Sequence, residues 1–411
     1  MIFTNLAPNT ERDDALLALR LIVTPWGWKK RRGAADRLAR MVADRVHAPQ
    51  GYVFDSGRTA LYEILRAAGI GHGDEVLVQA YTCVAVIGPI LWAGATPVFV
   101  DCDETLTMAP EDLKRKHAPR AKAIIIQHTF GMPARLIDVI SFAKAHSLIS
   151  IEDCAHSLGA TYQGQPLGSF GDAAFFSLGR DKVISSVFGG IATARNERIA
   201  AGLAAAAKQQ PTPSTRWILQ QLLHPLLMYV GKNTYELGGK LLIALAKKLQ
   251  LTSRAVEPIE KTGGRRPGSG TTLAEPLALL ALHQLRKLDR FAIHRRTIAR
   301  QYDTSLARLS LPTQETTDAT GALWLRYTIW GPEAQAISAL AAKRGIRLGD
   351  WYTTPIAPSG VDYQRIGYQM GSCPNAERIS GTTINLPTDI HITTRDVERI
   401  ISCIYDAVSP R

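Results

Sequence analysis

The sequence predicts an α/β protein with a mostly parallel central sheet, helices on both faces and a smaller C-terminal α+β domain. Three observations predict it. Between residues 56 and 195, short runs rich in Val, Ile and Phe alternate with stretches of helical periodicity, the pattern of a sheet covered on both sides. Most of these runs are bounded by Gly, Pro or Asp, as strands are. The chain has 411 residues, 46% of them hydrophobic and 20% charged. That is the make-up of an ordinary globular protein large enough for more than one lobe.

Taken in order, the expected strands are EVLVQA (75–80), TPVFVD (96–101), AKAIIIQH (121–128), LISIED (148–153), AAFFSL (173–178) and GGIATAR (189–195). Helical patterns lie between them, including RTALYEILRAAG (58–69) and PARLIDVISFAKAHS (133–147). Composition shifts over about 208–270, where RWILQQLLHPLLMYV and GGKLLIALAKKLQL read as an apolar helical insert and KTGGRRPGSG as a loop. One long amphipathic helix is expected over 273–306, with the lobe boundary inside it near 290–300. This divides the chain into an N-terminal helical segment (1–50), a large domain (51–295) and a small domain (296–411).

The net charge of +12 allows anionic small molecules, an anionic membrane surface or nucleic acid. No zinc spacing or helix-turn-helix pattern supports nucleic acid. Cys83, Cys102, Cys154, Cys373 and Cys403 are scattered and lack CxxC spacing. They suggest a reducing compartment, and neither a disulfide frame nor a metal site. Glu11, Asp13 and Asp14 precede the first apolar patch, so the N-terminus does not read as a signal peptide. No apolar run reaches the roughly 18 residues of a membrane span. The expected location is cytoplasmic.

Three chemical elements fall at strand ends, where open α/β sheets hold ligands. SGRTAL (56–61) puts Ser56 and Gly57 at a helix start, where free amides and the helix dipole suit a phosphate. IEDCAH (151–156) ends a strand on Asp153, with His156 just beyond. AAFFSLGRDK carries Ser177 and then Lys182. A phosphate cradle, a carboxylate and an amine are the groups pyridoxal phosphate requires: the amine meets the aldehyde and the carboxylate keeps the pyridine nitrogen protonated. Singly, each has an ordinary reading as an N-cap, a turn residue or a solvated lysine. Their joint order is what points to a cofactor.

With these residues in view, the chain resembles the DegT/StrS-type nucleotide-sugar aminotransferases. The likeness is carried by GDEV, GATPVFVD, IEDCAHSLGA, GSFGDAAFFS and CPNAERISGTTINLPT, and covers about 50–200 and 273–400. The resemblance implies the fold type I pyridoxal phosphate-dependent transferase architecture, a homodimer in which the N-terminal segment makes dimer contacts, and transfer of an amino group from glutamate to a keto-sugar on a nucleotide diphosphate. It implies Lys182 as the Schiff-base lysine and proton shuttle, and Asp153 as the pyridinium partner. His156 lies near the ring hydroxyl, Ser177 is a phosphate-binding hydroxyl, and Gly57 with Arg58 forms the backbone cradle.

The chain departs from that pattern in places. Arg58 stands where a small hydroxyl residue is usual, and could bind phosphate through its guanidinium. Cys83 replaces a stacking aromatic, leaving Tyr81 as an alternative ring cover. GTTL (270–273) lacks a partner-subunit asparagine, making Arg265 or Arg266 candidate replacements. DWYTTPIAP (350–358) keeps Tyr352 on the substrate side but has Ala357 in place of a histidine. Residues 213–250, together with WGWKKRR (26–32), either extend a lobe or dimer contact or lie on the inner face of a membrane. A dehydratase on the same scaffold and a non-catalytic cofactor-binding regulator are the rival readings, although deoxysugar dehydratases of the family carry histidine in place of Lys182.

Overall fold

Strands β1 (Gly51–Phe54), β2 (Glu75–Gln79), β3 (Thr96–Val100), β4 (Ala121–Gln127), β5 (Ile149–Asp153), β6 (Ala173–Ser177) and β7 (Gly190–Ala194) form one sheet in the order β1-β7-β6-β5-β4-β2-β3. The computed structural model describes residues 1–26, 28, 33–116, 119–309, 311–315 and 321–408. Neighbours from β6 through β3 run parallel, while β7 runs against both β6 and β1. The six expected strands are all present; five end one residue earlier, and the fourth, Ile149–Asp153, starts one residue later and ends where expected. Strand β1 was not among them. Its Gly51 lies against helix α2 (Ala34–Arg45), where a Cβ would sit 2.5 Å from the Ala39 carbonyl oxygen.

Alternation within each strand feeds two cores. On β4, Ile124 and Ile126 enter a core shared with Leu38 of α2, while Ile125 packs with Leu61 and Ile64 of helix α3 (Gly57–Ala67) on the opposite face. Each such buried side chain contributes about 1.5–3 kcal/mol, so strands covered on both faces read as nearly unbroken apolar runs.

The single long helix expected over 273–306 is two helices, α7 (Glu275–Leu285) and α8 (Leu288–Leu306), numbered after α4 (Glu197–Gln209), α5 (Thr215–Asn233) and α6 (Gly239–Lys248). No glycine or proline marks the break at Arg286 and Lys287. The turn brings the Lys287 amine to Glu11, Asp13 and Asp14, at 3.2, 2.6 and 3.1 Å, at the start of helix α1 (Arg12–Val23). Those carboxylates also suit the positive end of α1. Helix α8 then spans two cores: Leu288 and Phe291 belong to the large lobe, while Ile298, Tyr302 and Leu306 pack with Tyr327, Ile384 and Ile404 of the C-terminal α+β lobe.

Helices α5 and α6 pair with each other, and α5 also packs on α1. No helix among the described residues is long and apolar enough to cross a membrane. Of the WGWKKRR stretch, Gly27 and residues 29–32 lie outside the described residues.

Candidate active site

Parallel register brings three strand ends together. Gln127 of β4 stands beside Asp153 of β5, which pairs with Phe175 of β6 two residues before Ser177. Gln127, Asp153 and Ser177 all line one cavity of about 140 Å³, with Ser56, Gly57, Arg58, Cys83, His156, Lys182 and Tyr352 also on its wall.

Lys182 is fixed at both ends of its peptide unit. Its N–H donates to the Gly179 carbonyl at 3.1 Å. Its own carbonyl accepts from Asn9 Nδ2 at 2.5 Å, and Asn9 also donates to the Val183 carbonyl at 2.7 Å. Held this way, Lys182 Nζ lies 2.8 Å from His156 Nε2. His156 Nδ1 accepts the Phe130 N–H at 3.3 Å. With Nδ1 accepting, a neutral imidazole carries its hydrogen on Nε2, the nitrogen that faces Nζ. Burial, with a smaller push from the Arg326 charge, holds the Lys182 amine below its ordinary value, against the opposing pull of Cys83, Asp153 and Asp181. Burial and then the charges of Lys182 and Arg326 push the His156 imidazole well down.

Asp153 Oδ1 accepts the Ala155 N–H at 2.9 Å. Burial raises its carboxyl above the usual range, against the lowering effect of that amide, Lys182 and His128. The neighbouring Glu152 points the other way. Its carboxylate accepts the amides of Gly168, Phe170 and Gly171 at 2.7–2.8 Å and contacts His128 Nε2 at 3.1 Å. Although burial opposes ionisation, the His128 contact and these amides keep its carboxyl low. IED and GSFGD are thus two sides of one buried anchor that fixes the end of β5.

At the start of α3, Ser56 does not point a free hydroxyl at a ligand. Its Oγ accepts the Thr59 N–H at 3.3 Å and donates to Asp55 Oδ1 at 3.1 Å. Thr59 and Ala60 have partners in Ser56, so the Gly57 and Arg58 amides are the remaining donors of the helix end. Two glycines keep this end open to its neighbours. A Cβ at Gly57 would meet Ser177 Cβ at 3.3 Å, and one at Gly190 would lie 2.2 Å from the Ser56 carbonyl carbon. Ser177 Oγ accepts the Gly179 N–H at 3.3 Å, leaving its hydroxyl hydrogen free to donate.

Cys83 stands on the cavity wall, its thiol pushed up by burial. Tyr81 does not replace it as a ring cover: its ring is buried edge-on to Phe130 and Tyr352, with its hydroxyl 3.0 Å from Thr383 Oγ1. Arg58 Nη1 pairs with Glu260 Oε1 at 2.5 Å. Arg265 lies over the rings of Tyr62 and Trp92, whereas Arg266 turns inward to Asp55 Oδ2 at 3.4 Å. Tyr352 is buried, and its phenol is pushed well up by that burial and by the Cys83 and Asp153 charges. Ala357 sits in a short parallel pairing beside Cys83.

These residues fit pyridoxal phosphate. A lysine amine held below its ordinary value faces the cavity, a buried carboxylate with no ion pair among the described residues would gain one from a protonated pyridine, and amides at a helix start stand next to the Ser177 hydroxyl. The DegT/DnrJ/EryC1/StrS aminotransferase family model matches residues 18–218 and 239–405. The chain belongs to this family. The spore coat polysaccharide biosynthesis protein SpsC of Bacillus subtilis is 27% identical over 391 residues, 93% of this chain and 91% of that protein. The GDP-perosamine synthase of Caulobacter vibrioides is 25% identical over 410 residues, 97% and 96%. In fold, the chain is similar to Helicobacter pylori PseC, an aminotransferase involved in pseudoaminic acid biosynthesis, with a TM-score of 0.76 at 18% identity and 99% of both chains covered. It is also similar to a DegT DnrJ EryC1 StrS aminotransferase from Brucella abortus, with a TM-score of 0.75, 21% identity and 99% of each chain covered.

As a DegT-family member, the chain has site residues that sequence reasoning missed. Asn9 lies 173 positions from Lys182 and carries no motif. Gln127 was legible only as a position near the end of the strand expected over 121–128. Residues 219–238, within α5 and its link to α6, fall between the two family-matched segments.

Proposed function

We propose that this chain is a pyridoxal phosphate-dependent aminotransferase that moves an amino group from glutamate to a keto-sugar carried on a nucleotide diphosphate, and works as a homodimer in the cytoplasm. The observation that carries this reading is the meeting of Lys182 Nζ, Asp153 and the α3 N-terminus in one cavity. When bound, the cofactor supplies an aldehyde and an electron-accepting ring.

The chain's own groups do the rest. Lys182 would hold the cofactor through its amine and, once the amino donor is bound, would carry a proton at Nζ. Asp153 keeps the pyridine nitrogen protonated. His156 orients Nζ at 2.8 Å and would stand near the ring hydroxyl. Gly57 and Arg58 amides and the Ser177 hydroxyl take the phosphate. Tyr352 and Trp351 wall the substrate side.

A second, larger cavity of about 1430 Å³ shares Lys182 and Tyr352 with the first. Arg180, Lys247, Lys248, Arg254 and Lys261 stand on its wall, which supports an acceptor bearing phosphate charge. Glutamate should convert the cofactor-loaded enzyme from its lysine-linked absorbance to that of the amine form. Retention of the original spectrum would favour a non-catalytic binding protein.

Peripheral contact with an anionic bilayer is part of the same reading. Leu241 and Leu245 of α6, with Leu237 before it and Leu249 at its C-cap, recur every four residues, with exposures of 72%, 49%, 91% and 57%. Lys240, Lys247 and Lys248 flank them, an arrangement that suits an anionic lipid surface.

A further inference from the structure

Three guanidinium groups crowd one ring at the start of α3. The Cζ atoms of Arg58, Arg180 and Arg266 lie 5.9, 5.6 and 5.1 Å from the centroid of Phe188. Two of them have carboxylate partners: Arg58 pairs with Glu260 at 2.5 Å and Arg266 with Asp55 at 3.4 Å. Arg180 has no carboxylate within ion-pair distance among the described residues. It donates instead to the Ser253 carbonyl and hydroxyl, at 2.7 and 2.9 Å.

The group thus holds one more cation than carboxylates, beside the positive end of a helix and partly shielded from water. Burial lowers the basicity of Arg180 and Arg266, and the Arg58 charge lowers each further, so the cations press on one another. The neighbouring Asp181 gives Arg180 limited relief, because burial raises its own carboxyl. A cluster of this kind lacks an anion. Arg58 and Arg180 both line the cavity that holds Gly57, Ser177 and Lys182. Arg58 bonds Glu260 and Ala255 through Nη1 alone, which leaves Nε and Nη2; Arg180 retains Nε.

We infer that Arg58 and Arg180 clamp the phosphate of the cofactor from within one subunit, and that the insert holds this clamp in place. The link to the insert is a relay. Ser253, which fixes Arg180, donates its hydroxyl to Gln221 Oε1 of α5 at 2.7 Å, and Gln221 is fully buried. Trp217 of the same helix packs edge-on against Phe188, 5.5 Å between centroids. Gln221 falls in the stretch outside the family match, so that part of α5 reaches the clamp through Arg180. The inference rests on the pyridoxal phosphate reading of the cavity.

The test compares the equilibrium affinities of pyridoxal 5′-phosphate and of pyridoxal, which lacks the phosphate, by absorbance and fluorescence titration of the full chain. Arg58→Met and Arg180→Met should each weaken pyridoxal phosphate binding about 10- to 100-fold, the worth of a charge-assisted hydrogen bond. Pyridoxal binding should stay within about threefold of wild type. Orthophosphate should compete with pyridoxal phosphate on wild type and lose that effect in Arg180→Met. Gln221→Leu should give a smaller loss in the same direction. Arg180→Lys, which keeps the charge but not the fork, serves if the methionine variant fails to fold by circular dichroism. Unchanged preference for the phosphorylated ligand in both arginine variants, or an equal loss for both ligands, overturns the clamp. A wild-type chain that binds neither ligand overturns the cofactor reading itself.

Discussion

Lys182 Nζ and His156 Nε2 meet at 2.8 Å, while the other ring nitrogen of His156 accepts the Phe130 N–H at 3.3 Å. Burial holds the amine below its ordinary value of 10.5, so its proton is lost more readily than that of an exposed lysine.

Removal of that amine should cost function and help the fold. Lys182→Met should lower amino transfer by at least about 10⁴-fold, judged by steady-state assay, because no other group on the wall is placed to replace Nζ. In the cofactor-free protein the same change should raise the melting temperature. The native amine sits below its ordinary value of 10.5, so charging it costs the folded state more than the unfolded one. The gain should be full at pH values below the folded-state value of Lys182. It should vanish as pH rises past 10.5. A melting temperature equal to wild type at neutral pH would show that burial does not strain this lysine.

Asp153→Asn should keep the hydrogen bond to Ala155 through its amide oxygen and hence the fold, yet lose turnover by about 10²- to 10⁴-fold. Cofactor stoichiometry and rate, measured on one preparation, separate the two effects. Activity near wild type would remove Asp153 from its role at the ring nitrogen.

Glu152 bears on stability. Its folded-state carboxyl lies below the ordinary 4.5, so its contribution is present above that value and disappears as pH falls through the folded-state value. Glu152→Gln should therefore destabilise the protein at neutral pH by about 1–3 kcal/mol, and flatten the acid limb of a pH–stability curve. An unchanged acid limb would assign that limb to other carboxylates.

Asn9→Ala should lower the turnover rate about tenfold while leaving the Michaelis constant for the amino donor unchanged, because it frees the Lys182 backbone without touching substrate. It also strips Arg295 Nη2 of its 2.7 Å acceptor, which should cost about 1–3 kcal/mol in denaturant unfolding. A change in the Michaelis constant alone would contradict a role through Lys182.

Leu241→Ser with Leu245→Ser should reduce co-sedimentation with vesicles containing anionic lipid and leave amino transfer unchanged. Absence of wild-type binding to those vesicles would refute the membrane contact. Conversion of a dimer to a monomer by the same changes would assign the stripe to a second copy of the chain.

Much of this arrangement was legible along the chain because it is local. Asp153, Ser177 and Lys182 follow strand ends, and strand ends are set by apolar runs that sequence displays directly. What was not legible depends on distant partners. The break between α7 and α8 has no local signal, since it arises where Lys287 reaches the acids of α1. The Tyr81 hydroxyl is turned away from the cavity by Thr383, 302 positions away. Ser56 looked like a ligand because its motif is an N-cap motif, and the cap is where its hydroxyl went.

The course of the first ten residues has a mechanical consequence. Ile2 and Phe3 lie alongside Ile346 and Arg347 at the edge of the small lobe, and Asn9 grips the peptide of Lys182 a few residues later. The segment is a short mooring line from the small lobe to the peptide that carries Lys182. A displacement of the small lobe would therefore be felt at the backbone of Lys182, across only a handful of residues.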